Sequence, residues 1–126
     1  MNERETNKPN PLKDKSFQFA LMIIQFYKFL TEEKREYIMS KQLLRSGTSI
    51  GANIREGQNA QSKADFIHKL SISQKECDET LYWLELLHQS GFLEEKEFKT
   101  IHNDANELLK MLRSSILTTK QNMHNS

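Results

Sequence analysis

The chain is poor in residues that break or brace a fold, with four glycines, two prolines, one cysteine and one tryptophan among 126 residues. So little glycine and proline excludes a turn-rich β-domain and a low-complexity linker, and leaves long stretches open to helix. The single Cys77 excludes an internal disulfide. An excess of one charge sign is missing too. Eighteen Lys plus Arg against seventeen Asp plus Glu leave a formal charge of +1. No global field therefore draws the chain to nucleic acid or anionic lipid, and any such binding needs a local patch. The richest apolar run, Phe17 to Leu30, is interrupted by Gln18, Gln25 and Lys28 and falls short of the ~20 residues that cross a bilayer. The opening MNERETNKPNPLKDK lacks the apolar region of a signal peptide. The expectation is a cytoplasmic protein without a membrane contact.

What is present is helical periodicity. The length fits one domain, and no alternation of β-branched residues signals a strand. The pattern predicts an all-α fold, an antiparallel up-and-down four-helix bundle over residues 14–119. A flexible arm is expected at 1–13, which carries Pro9 and Pro11, and a flexible tail at 120–126. The first segment, Lys15 to Leu30, is apolar around most of its circumference, leaving Asp14, Gln18, Gln25 and Lys28 in one narrow polar stripe. One buried stripe satisfies a helix in a small bundle. The surplus therefore predicts a second burial surface, most simply another copy of the chain, with Phe19, Met22, Ile23, Phe26 and Phe29 as candidate contacts.

Thr31 followed by Glu32 and Glu33 reads as an N-cap and acidic first turn for a second helix running to about Glu56. Its inner stripe is Met39, Leu43, Gly47, Ile50 and Ile54. Interior Gly47 and Gly51 imply close approach of a neighbouring backbone, and Gly57 is placed as the helix stop. Ser62 and Asp65 form a capping box for a third helix reaching about Ser90, striped by Phe66, Leu70, Ser73, Cys77, Leu81, Leu84 and Leu87. Trp83 lies off that stripe and joins the candidate subunit contacts. Gly91 ends this helix. A fourth runs from about Glu94 to Thr118 on Phe98, Ile101, Ala105, Leu108, Leu112 and Ile116. Short breaks between four helices favour antiparallel neighbours.

Three motifs in order, SIGANIREG at 49–57, then QNAQSKADFIHKL and KECDETLYWLELL, resemble the bacterial four-helix bundle family, also called the 23S rRNA intervening-sequence proteins. The resemblance spans roughly residues 15–117. It implies an up-and-down bundle, commonly a homopentamer with a central channel, and no known catalytic activity. The family name records genes lying within insertions of 23S rRNA genes. A related branch comprises the basic, nucleic-acid-binding accessory proteins of diversity-generating retroelements, from whose charge this chain departs.

In the second helix Lys34, Lys41, Arg45 and Arg55 project within one sector by helical-wheel arithmetic, a candidate phosphate-contacting stripe for RNA or DNA. Glu56 lies beside it and no aromatic residue is interleaved for base stacking, so a solvated face is the simpler reading. Asn53, Glu56 and Gly57 sit in the family-like motif, with Glu76 and Glu79 on the third helix. They are read as structural, Asn53 bonding across a helix interface and the carboxylates accepting from neighbouring donors. Glu85 and His88 make one Glu-x-x-His pair, whereas a di-iron bundle needs two such pairs and two further carboxylates. His68, His102 and His124 lack ligand spacing. No cofactor, metal, small-molecule substrate or catalytic residue is expected. The sequence points to a non-enzymatic oligomeric scaffold or adaptor, or alternatively to an RNA- or DNA-binding accessory protein.

Overall fold

The computed structural model describes residues 9–124. These form four helices, α1 (Pro11–Glu32), α2 (Met39–Gln58), α3 (Lys63–Gln89) and α4 (Glu95–His124), with no strand among the described residues. Each helix packs on its sequence neighbours, and α1 also meets α4, which closes the ring without diagonal contacts. The α1–α4 seam is the sparsest of the four.

Local chemistry sets most helix ends. Pro11 occupies the first turn of α1, where its missing N–H costs nothing, and the Asn10 side chain accepts from the Lys13 amide at 3.2 Å. The boundary drawn at residue 13 therefore falls inside α1. At the far end α4 runs on to His124, through most of the segment read as a tail. Residues 1–8 and 125–126 of the expected arm and tail lie outside the described residues. Ser62 caps α3, its hydroxyl accepting from the Asp65 amide at 3.1 Å. Gly91, at φ +88°, ends it as expected.

The start of α2 is a correction. Thr31 is not an N-cap, because α1 continues to Glu32 and the Thr31 hydroxyl sits 2.9 Å from the Tyr27 carbonyl. The helix begins eight residues later, at Met39. Glu36 does the capping: its carboxylate accepts from the amides of Ile38, Met39 and Ser40 at 3.2, 3.1 and 2.7 Å. An anionic side chain over the first turn satisfies orphan donors and complements the helix dipole. Gly57 is likewise not a stop. It is buried inside the last turn of α2, and a Cβ there would meet the Lys69 Cβ at 3.4 Å, so its smallness admits α3.

The core is the set of expected stripes, with Leu43, Ile50, Ile54, Leu70, Cys77, Leu84, Leu87, Ile101, Leu108 and Leu112 all buried. Between α2 and α3 it is partly polar. Ser73 donates to the Ile50 carbonyl at 2.8 Å, and the hydroxyls of Ser46 and Thr80 share a 2.9 Å hydrogen bond. These small side chains let two backbones approach while leaving no hydroxyl unpaired. Thr80 takes an inward position that the apolar stripe had assigned to half-buried Leu81.

Lys15 of α1 pairs with two carboxylates of α4 across their seam. Lys15 Nζ lies 2.8 Å from a Glu107 carboxylate oxygen and 3.8 Å from one of Asp104. The Glu107 hydrogen bond holds Lys15 above its ordinary 10.5 and Glu107 below its ordinary 4.5. A raised lysine stabilises the fold below its unfolded pKa and stops doing so as pH rises through the folded one; a lowered carboxylate stabilises above its unfolded pKa and fails as pH falls through the folded one. The difference in melting temperature between wild type and Lys15→Met should therefore be present at neutral pH and shrink in acid. A difference that stays constant down to pH 2, a condition chosen below the ordinary carboxylate range, would show that the pair contributes nothing.

Candidate interaction surfaces

The basic stripe expected on α2 is dismantled by its neighbours. Lys34 is not on α2 at all. It sits in the 33–38 connection with its ammonium 5.6 Å from the centre of the Phe29 ring. Arg45 reaches across to α3, where one guanidinium nitrogen lies 2.8 Å from Glu76 and another contacts Glu79. Two carboxylates around one cation leave no positive charge for a phosphate. Arg55 lies over the Phe17 ring at 5.6 Å. Of the four, Lys41 alone has neither a carboxylate nor an aromatic partner among the described residues.

The polar residues of the motif are structural in part. Glu79 serves as a partner of Arg45, and Glu56 stands 3.8 Å from Lys69 while remaining largely exposed. Asn53 departs from the expectation: its amide donates to the Ser49 carbonyl at 2.9 Å within its own helix and does not cross an interface. Being half-buried beside its own helix carbonyl, it finds the nearest acceptor one turn back. A Cβ on Gly51 would stand 3.3 Å from the Ser16 carbonyl oxygen, and one on Gly47 would stand 2.8 Å from Ile23. Both glycines thus set the α1–α2 distance, as their interior positions implied.

Glu85 and His88 separate onto different partners. His88 Nε2 lies 2.8 Å from Glu95, and His102 Nε2 lies 3.0 Å from Glu85. Phe98 contacts both imidazoles, stacked on His88 at 4.1 Å and tilted to His102 at 4.8 Å. This clasp joins α3 to α4 and was not legible from His spacing. No group of three or more His, Cys, Asp or Glu among the described residues is placed to hold a metal ion. No described helix is long and apolar enough to cross a membrane.

The candidate subunit contacts divide by helix face. Phe19 and Ile23 are corrections, since both are buried within the bundle and reach no outside surface. The wheel showed that α1 is apolar nearly all round but not which side meets the core. Met22, Phe26 and Trp83 are half-buried against the core; Trp83 makes an edge contact with Tyr82, and its Nε1 is enclosed without a hydrogen-bond partner. Phe29 is 40% exposed. Phe29 thus faces outward as expected, and two α1 residues outside the candidate set join it there, Phe17 at 47% and Leu21 at 44%. Two apolar grooves flank the Leu21 ridge. One lies between α1 and α2, over Phe17, Ala20, Ile24, Thr48 and Ala52, and the other between α1 and α4, over Phe26, Phe29 and Leu93.

Comparison with known proteins is consistent with this architecture. The family model described as 23S rRNA-intervening sequence protein matches residues 10–114. Among solved structures, a protein with unknown function from the S23 ribosomal protein family of Bacteroides thetaiotaomicron VPI-5482 is similar, with 55% sequence identity and a TM-score of 0.83. The match covers 83% of this chain and 97% of that one. No curated protein matches the chain.

Proposed function

The chain belongs to the 23S rRNA-intervening sequence protein family, and on that premise we propose that it is a non-enzymatic scaffold that works as an assembly of its own copies. The outer face of α1 carries this reading. Phe17, Leu21 and Phe29 remain 40–47% exposed on a helix whose other side already fills the core. Three large apolar side chains bear against water there, set among exposed Gln18, Gln25 and Lys28, and burying them between copies recovers roughly 25 cal/mol per Å² before the costs of association. The family resemblance makes a pentamer the specific assembly to look for. The reading places the protein in the cytosol, where its unpaired cysteine stays reduced.

Nucleic-acid binding through α2 draws less support. Its expected stripe is reduced to Lys41 and a ring-capped Arg55, and weak phosphate contact from one cation yields little affinity.

Light scattering at micromolar concentration tests the proposal. Wild type should exceed the 14.8 kDa of one chain, and Phe17→Glu combined with Leu21→Glu should return it to that mass with its helical content intact. A wild-type protein that is monomeric throughout this range would overturn the reading.

A further inference from the structure

At the head of the α1–α4 seam, Gln25, Phe26 and Phe29 face Leu93, Glu94 and Glu97 around an open pocket of about 360 Å³. Its floor is apolar. At its rim the side chains of Glu94 and Glu97 form no ion pair among the described residues, although their neighbour Glu95 pairs with both His88 and Lys99.

On the other flank of α1 stands a feature of opposite character. The connection from α1 to α2 presents Tyr37 and Ile38, at 61% and 78% exposure the most exposed large hydrophobic side chains described. Arg35 and Lys41 stand to either side of them, and neither pairs with a carboxylate within the described residues. The loop is held in shape. The Glu36 amide donates to the Leu30 carbonyl at 2.9 Å, the Glu36 carboxylate gathers three amides, and the Ser40 hydroxyl donates to the Glu36 carbonyl at 2.6 Å. A tip fixed in advance loses little conformational freedom on docking.

We infer that Tyr37 and Ile38 of one copy insert into the Phe26–Phe29–Leu93 pocket of a second copy, with Arg35 and Lys41 meeting Glu94 and Glu97. The occupant is a second copy because the surfaces complement each other in both apolar content and charge sign. Of the same connection Lys34 reaches the Phe29 ring, at 5.6 Å, whereas Tyr37 and Ile38 are pinned to the head of α2 by the Glu36 bonds and stay exposed. In an up-and-down bundle the α1–α2 and α3–α4 connections share one end, so tip and pocket lie at the same level on different flanks. Two different patches in contact make a heterologous interface, which adds copies head to tail and closes into a ring where the rotation allows. The inference rests on the self-association reading and specifies its contact.

Charge exchange tests it, read by light scattering with circular dichroism to verify folding. Arg35→Glu with Lys41→Glu, and separately Glu94→Lys with Glu97→Lys, should each dissociate the assembly. The chain carrying all four substitutions should reassemble. Ile38→Ser, at an exposed position with no part in the core, should weaken association about tenfold or more while leaving the melting temperature of the dissociated chain unchanged. Unchanged mass in both paired variants would overturn the contact, as would a folded four-fold variant that fails to reassemble. If those variants remain assembled while the Phe17 and Leu21 double variant dissociates, self-association stands and this contact falls. A monomeric wild type removes both.

Discussion

Replacing Gly47 with leucine is expected to leave the chain largely unfolded, because the substitution places new atoms where α1 already is. A Cβ on Gly47 would lie 2.8 and 2.9 Å from the two γ carbons of Ile23. Ile23 is fully buried, and these are its branch atoms, so they cannot swing aside as a long side-chain end would. Forcing extra methylenes into a packed core costs about 1–3 kcal/mol. Leucine adds four carbons against branch atoms that cannot move, which takes it past the top of that range toward the lower end of the ~5–15 kcal/mol that holds a small domain together. Gly47→Ala is the graded control: its gain of about 1 kcal/mol in helix propensity offsets part of the overlap, leaving a folded but weaker protein. Urea unfolding followed by circular dichroism reads both. A Gly47→Leu protein with a wild-type midpoint would mean that α1 and α2 separate at no cost, contrary to the packing described above.

The second large effect concerns Cys77. Its thiol is fully buried on α3 and donates to the Ala105 carbonyl of α4 at 3.2 Å. Burial, with a further push from Asp78 and an opposing pull from Arg113, raises its pKa from 9.0 to about 12. At pH 8 the thiolate population should therefore fall roughly a thousandfold below that of an unfolded cysteine. Labelling by an aromatic disulfide reagent at that pH should be slower in the native protein by about that factor or more, and should proceed through opening of the bundle. Native and denatured rates within tenfold of one another would refute this. The same group sets an alkaline limit. The unfolded state releases its thiol proton first as pH rises, so this contribution to stability is intact below 9.0 and declines progressively toward about 12. Gly47→Ala should speed native labelling in proportion to the stability it loses, which ties the two measurements together.

The comparison of these sites with the sequence turns on range. Residues three and four apart on one helix share a face whatever surrounds them, so the inner stripes of α2, α3 and α4, the Ser62 cap and the Gly91 stop followed from local spacing alone. The end of α1 did not. The run from Thr31 to Glu36 contains only residues that a helix tolerates, and the break is defined where Glu36 folds its carboxylate over the amides of α2. Misplacing that break put Lys34 on the wrong element and created a basic stripe larger than the real one.

Sequence by itself determined the four helices, their antiparallel bundle, the unpaired buried cysteine and the surplus of apolar surface on α1, because each depends on composition or on contacts within a few residues. Tertiary structure alone decided which part of that surplus faces outward. It buried Phe19 and Ile23 and left Phe17 and Leu21 to solvent, since only the position of α2 and α4 defines an inside. It also decided that Arg45 is spent on Glu76 and Glu79. That pairing joins residues 31 and 34 positions apart, and such a distance along the chain becomes a contact only when two helices lie side by side.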